Sequence, residues 1–199
     1  MSSRWFPAVD RFTKYDCNNM EKEKFTISAF TENKIGLLGR LATIFIRRHV
    51  NVESLSVSET EYQGISRFTI EVHTTRETAE RLVAQISKII EVLVAFLQED
   101  ENIVSTELAM YKVRLRNSDE MEKVIGLSRT YGAHIGKVDG LYIVLEKSGK
   151  PVDIHALYKA LEPFEIQEFV RSGKLAIHKG MKDLSDYLPE DFIMKKKTA

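Results

Sequence analysis

The chain has 199 residues and balances 29 Lys+Arg against 29 Asp+Glu, so its formal net charge is zero. Its hydrophobic share of 43% and charged share of 29% suit one large or two small globular domains and are too apolar for disorder. Neutrality argues against a nucleic-acid binder built on a basic field, and no run approaches the ~20 apolar residues of a membrane span. The single cysteine, Cys17, excludes an internal disulfide and any multi-cysteine zinc site.

Residues 1–23 carry little periodicity and are expected to form a poorly ordered extension, with Met20 an alternative start. From Lys24 the pattern sharpens: Phe25, Ile27 and Ala29 alternate with Thr26 and Ser28, the period of a half-buried strand. Leu38, Leu41, Ala42 and Phe45 then recur at helical spacing, and the helix is predicted to end near His49. Residues 51–57 read as a second strand, and Phe68, Ile70 and Val72 alternate with Arg67, Thr69 and Glu71 in a third. Thr74 and Glu77 fit a capping box ahead of a stripe of Ala79, Leu82, Val83, Ile86 and Ile90. Residues 92–97 form a short apolar strand, which completes the order β-α-β-β-α-β.

The second half repeats that order. Residues 108–115 are a strand, and Ser118 is a plausible cap for a helix presenting Met121, Val124, Ile125 and Ser128. Two strands flank Asp139-Gly140, a strong hairpin signal. Pro151 suits a first helical turn followed by Ile154, Leu157, Tyr158 and Leu161, and Pro163 stops that helix before a last strand at 164–170. Two such units imply an α+β protein of two consecutive ferredoxin-like (βαββαβ) domains. The acidic stretch around residues 98–102 is the natural joint, and the tail beyond Gly180, ending in three lysines, is expected to fray. The predicted layout is an extension at 1–23, a first domain at 24–98, a linker at 99–106, a second domain at 107–181 and a tail at 182–199.

Catalytic patterns are absent. The five histidines are dispersed with no metal-ligand spacing, and neither a Walker loop nor a nucleophile elbow occurs. One segment stands out, Thr31-Glu32-Asn33-Lys34-Ile35-Gly36-Leu37-Leu38-Gly39-Arg40, which links a strand to a helix. Free N–H groups and the helix dipole would favour a carboxylate there, and Gly36 would let a small ligand approach the backbone. Ile35, Leu37 and Leu38 supply apolar surface, while Asn33 and Asn51 offer amide oxygens to an ammonium. Together these residues would recognise a zwitterion with an aliphatic side chain. The plain structural alternative is that Asn33 caps the helix and Gly36 relieves crowding. The Gly36-Leu37-Leu38-Gly39 stretch superficially matches a nucleic-acid-clamping KH loop, but two leucines have the wrong chemistry for phosphate.

At this loop the sequence resembles the small, regulatory subunit of acetolactate synthase (acetohydroxyacid synthase). The likeness rests on Glu32-Asn33, Gly36, Leu38 and Arg40, followed by Asn51-Val52-Glu53-Ser54-Leu55. It continues in Ser66-Arg67-Phe68-Thr69-Ile70, in Glu107-Leu108-Ala109-Met110-Tyr111-Lys112-Val113 and in Arg171-Ser172-Gly173 with Gly180 behind it, covering roughly residues 24–181. The resemblance implies that the first domain is an ACT domain, in a cytoplasmic subunit without catalytic residues or a cofactor of its own. It implies a partner, the large catalytic subunit, expected to carry thiamine diphosphate, Mg and FAD, which the small subunit activates in branched-chain amino acid biosynthesis. It also implies a homodimer through the ACT domains and feedback inhibition by valine bound between the ACT domains of two copies, held at Asn33, Gly36 and Asn51 with neighbours Lys34, Ile35, Leu37, Leu38 and Val52. His49 stands where the family usually has glycine, and Ile35 replaces the usual proline or small residue. A stand-alone ACT-domain amino-acid sensor acting on another enzyme is the alternative.

Overall fold

The computed structural model describes residues 22–180 and 183–187. The expected extension before residue 22, and most of the tail, lie outside them. The first domain runs β1 (Glu23–Glu32), α1 (Leu37–Arg47), β2 (Val52–Glu59), β3 (Ile65–Thr74), α2 (Arg76–Ile86) and β4 (Val92–Gln98). Its antiparallel sheet has the order β2-β3-β1-β4. Ile27 of β1 lies opposite Ile70 of β3 and Leu97 of β4, and with Ala29, Leu41, Phe45, Leu82 and Ile86 it forms the core under the two helices. Full burial of each of the isoleucine, leucine and phenylalanine side chains stabilises the fold by roughly 1.5–3 kcal/mol.

The inward stripe of α1 differs from the predicted one. Leu37, Leu41 and Phe45 are buried, with Ile44 packed beside them, whereas Leu38 and Ala42 face solvent. Leu41 and Phe45 belong to both stripes, and the Leu37 and Ile44 side simply buries more apolar surface. In α2 the cap sits one residue later than predicted: Thr75 Oγ1 accepts from Thr78 N. Thr74 is the last residue of β3, and Glu77 pairs along the helix with Arg81 at 2.5 Å. Ile90 is fully exposed, because the helix ends at Ile86 and the following turn breaks the spacing.

The second domain runs β5 (Ile103–Arg114), α3 (Ser118–Thr130), β6 (His134–Asp139), β7 (Tyr142–Gly149), α4 (Pro151–Leu161) and β8 (Glu165–Arg171). The order β6-β7-β5-β8 repeats the first sheet. Asn117, not Ser118, caps α3: its Oδ1 accepts from Glu120 N at 2.8 Å, and Glu120 reaches back to accept from Arg116 N at 2.9 Å. Tyr111, fully buried, donates to the Ile154 carbonyl at 2.7 Å, and burial pushes its phenol up to about 12.

The joint between the domains is a 3-10 turn at Asp100–Asn102. Residues 103–106, expected to be linker, are the first part of β5, and they pair with a short strand that the sequence reading missed, β9 (Leu175–His178). This two-stranded ribbon covers the face of the first sheet opposite its helices. β1 is therefore buried on both faces, Thr26 and Ser28 included, instead of half-buried. The Lys174 Nζ reaches Thr26 Oγ1 at 3.2 Å and Glu71 at 3.8 Å, while Lys174 N donates to Ser54 Oγ at 3.1 Å. Arg67 donates to the Ala176 carbonyl and lies over the Phe30 ring. Within the tail, Leu184 is buried against Phe30, Tyr62 and Ile65, so that part of it docks on the first domain.

Candidate functional site

The loop between β1 and α1 is held from three sides. Glu32 N donates to Glu91 O at 2.8 Å and Asn33 N to Gly64 O at 2.7 Å, which fastens the loop to the turns before β4 and β3. The Asn33 side-chain amide donates to Glu59 at 3.2 Å, at the far end of β2. Lys34 folds back on Glu32 at 2.7 Å, and that hydrogen bond holds its ammonium above the ordinary lysine range. Arg40 pairs with Glu91 at 2.8 Å, and its hydrogen bond holds the Glu91 carboxyl below the usual range.

Asn33 therefore does not cap α1. The N-cap is Gly36, at φ 85°, and no side chain caps the helix. In the first turn Leu37 N donates to the Lys34 carbonyl at 3.4 Å and Arg40 N to that of Gly36 at 3.2 Å, while the N–H groups of Leu38 and Gly39 have no acceptor among the described residues. A helix end in this state carries partial positive charge and outward donors, the requirements of a carboxylate site. A Cβ on Gly36 would meet nothing within 4 Å, so there is open space over the cap.

Ile35 is completely exposed at the loop tip and Leu38 is half exposed, and both offer apolar contact beside those donors. Leu37 does not: its side chain is buried in the core, which corrects the role expected for it. Asn51 precedes β2 and donates to Glu53 at 3.2 Å, leaving its oxygen as an acceptor. Val52 is half-buried against the core. Within one chain these two groups of residues stay apart. The eight-residue β2 separates Asn51 from the Asn33–Glu59 contact, about 26 Å at ~3.3 Å per residue. Sequence reading missed Glu59, Glu91 and Arg40 as the supports of the loop, since their pairings span long sequence separations and follow no local pattern.

Among the described residues no cluster of three or more His, Cys, Asp or Glu is placed to hold a metal ion, and no helix is long and apolar enough to cross a membrane. Residues 27–94 match the family model for the AHAS small subunit-like ACT domain, and residues 106–180 match that for the small subunit of acetolactate synthase. The acetolactate synthase small subunit of Bacillus subtilis is 35% identical over 158 residues, covering 79% of this chain and 91% of that protein. That of Mycolicibacterium smegmatis is 34% identical over 155 residues, 78% of this chain and 91% of its own. The crystal structure of the acetolactate synthase small subunit from Thermotoga maritima superposes with a TM-score of 0.73 at 28% identity, over 80% of this chain and 99% of that one. With two domains of matching order and both family models in place, the chain belongs to the acetolactate synthase small-subunit family.

Proposed function

We propose that this chain binds and activates the thiamine-diphosphate-dependent catalytic subunit of acetolactate synthase and confers feedback inhibition by valine on it. The observation that carries the effector reading is the uncapped N-terminus of α1, with outward N–H groups beside the exposed Ile35 and Leu38. The valine carboxylate takes those donors, the ammonium is accepted by the Asn33 and Asn51 side-chain oxygens, and the isopropyl group lies against Ile35, Leu38 and Val52.

Because Asn33 and Asn51 are at opposite ends of β2, one chain supplies only half of such a site. β2 is an edge strand, and its Leu55 and Val57 are partly exposed. Antiparallel pairing of β2 with β2 of a second copy around a two-fold axis brings the Asn51 end of one strand to the Asn33–Glu59 end of the other. Such pairing also covers an edge that otherwise presents unpaired backbone groups. The proposed site is therefore shared across a homodimer. Inhibition follows if valine binds better to the dimer arrangement that holds the catalytic subunit inactive.

In the reconstituted pair of subunits, Asn33→Ala and Gly36→Asp are each expected to abolish valine inhibition of acetolactate formation while leaving activation in place. Gly36→Asp acts twice, since φ 85° strains any side chain and the new carboxylate competes for the helix end. Undiminished valine inhibition in both variants contradicts the site.

A further inference from the structure

The cleft between α1 and α2 is not used by the proposed effector site. It encloses about 350 Å³ and is lined by Arg40, Arg47, Arg48 and Lys88 around a floor of Ile44 and Ile89, with Thr43 and Gln85 between them. Among the described residues, Arg40 alone of these four has a carboxylate partner, Glu91. Arg48 donates to the Gln85 amide oxygen, a neutral acceptor. Arg47, Arg48 and Lys88 have no carboxylate within ion-pairing distance among the described residues. A helix C-terminus attracts a cation through its dipole, which accounts for one charge at the end of α1. Lys88 lies just past the end of α2 in the same way, but the dipoles account neither for the second arginine at the end of α1 nor for the apolar floor. In a chain of zero net charge, this is a concentration of uncompensated positive charge beside apolar surface.

We propose that this cleft docks an acidic, amphipathic segment of the catalytic subunit, its apolar side on Ile44 and Ile89 and its carboxylates on Arg47, Arg48 and Lys88. This inference rests on the regulatory-subunit reading. Charge complementarity selects an acidic occupant, and the apolar floor selects a protein segment over a free anion or a nucleic-acid backbone. The cleft also adjoins the effector loop. Arg40 N donates to Gly36 O at 3.2 Å, while its guanidinium holds Glu91, whose carbonyl accepts from Glu32 N. A partner carboxylate that draws Arg40 away from Glu91 loosens the loop support, so catalytic-subunit docking and effector binding share one ion pair.

The test is binding of the purified catalytic subunit from the same source to the full chain, measured by titration at low and high salt. Arg47→Glu with Arg48→Glu is compared with Lys123→Glu with Arg129→Glu, two exposed cations of α3 that give an equal change in net charge. The first pair is expected to weaken binding by about tenfold or more, since like charges now face each other, and the second to leave it within about twofold. Wild-type affinity falls as salt rises, because the contact is screened. A neutral pair, Arg47→Gln with Lys88→Gln, keeps the test valid if the charge-reversed protein folds poorly, and it loses affinity in the same direction. Unchanged binding by the cleft variants, or equal loss in both reversed pairs, overturns the proposal. If the wild-type chain itself does not bind the catalytic subunit, the regulatory reading fails and this one with it.

Discussion

His49 sits at φ 52°, a left-handed conformation that a side chain with a Cβ enters only at a cost. It lies in the turn between α1 and β2. His49→Gly is therefore expected to raise stability by about 0.5–1 kcal/mol, the relief of strain being partly offset by the freer unfolded chain. Denaturant unfolding of the two proteins checks this, and a less stable glycine variant contradicts the strain account. The loop chemistry was readable residue by residue to a similar depth. Gly36 as a point of close backbone approach and Ile35 as apolar surface follow from their types and spacing, whereas the left-handed φ of Gly36 appears only in the fold. The Asn33–Glu59 contact was not readable, because it joins residues 26 positions apart through a tertiary fold. Leu37 went wrong for a related reason. Leu37 and Leu38 have the same chemistry, and which of them faces the core is settled only by what lies beneath the helix.

At the scale of elements, the two β-α-β-β-α-β runs were legible because each strand and helix shows its own periodicity and its own stop signal. β9 was not. Four residues, Leu175–His178, are too few to show alternation, and their partner is the stretch of β5 that reads as linker. The ribbon they form fixes the seam between the domains, where Gly173 lies against β2. A Cβ there would come within 2.8 Å of Ser54 Oγ and 3.3 Å of the Leu55 carbonyl carbon and oxygen. The backbone of β2 cannot yield as a side chain can. Gly173→Ala is accordingly expected to cost about 1–3 kcal/mol and to detach β9 from the first domain. Faster hydrogen exchange of the 103–106 and 175–178 amides in that variant is the readout, and unchanged protection there contradicts the packing described.

Seen as a whole molecule, the chain places a candidate effector loop, a cationic cleft and a domain seam around one small domain, with β2 touching two of the three. Ser54, three residues after Asn51, accepts from Lys174 N of the segment leading to β9. A ligand that orders the start of β2 thus acts on a strand already tied to the second domain. Zero net charge, which argued against a nucleic-acid partner, is compatible with a subunit that works against protein surfaces. The separation of Asn33 from Asn51 makes a second copy necessary to complete the proposed site, something linear spacing does not reveal. The central claim is regulation of a catalytic partner, and the most direct measurement is acetolactate formation by the purified catalytic subunit as this chain is titrated in, with and without valine. The account predicts a saturable rise in rate that valine reverses; a rate indifferent to the added chain contradicts it.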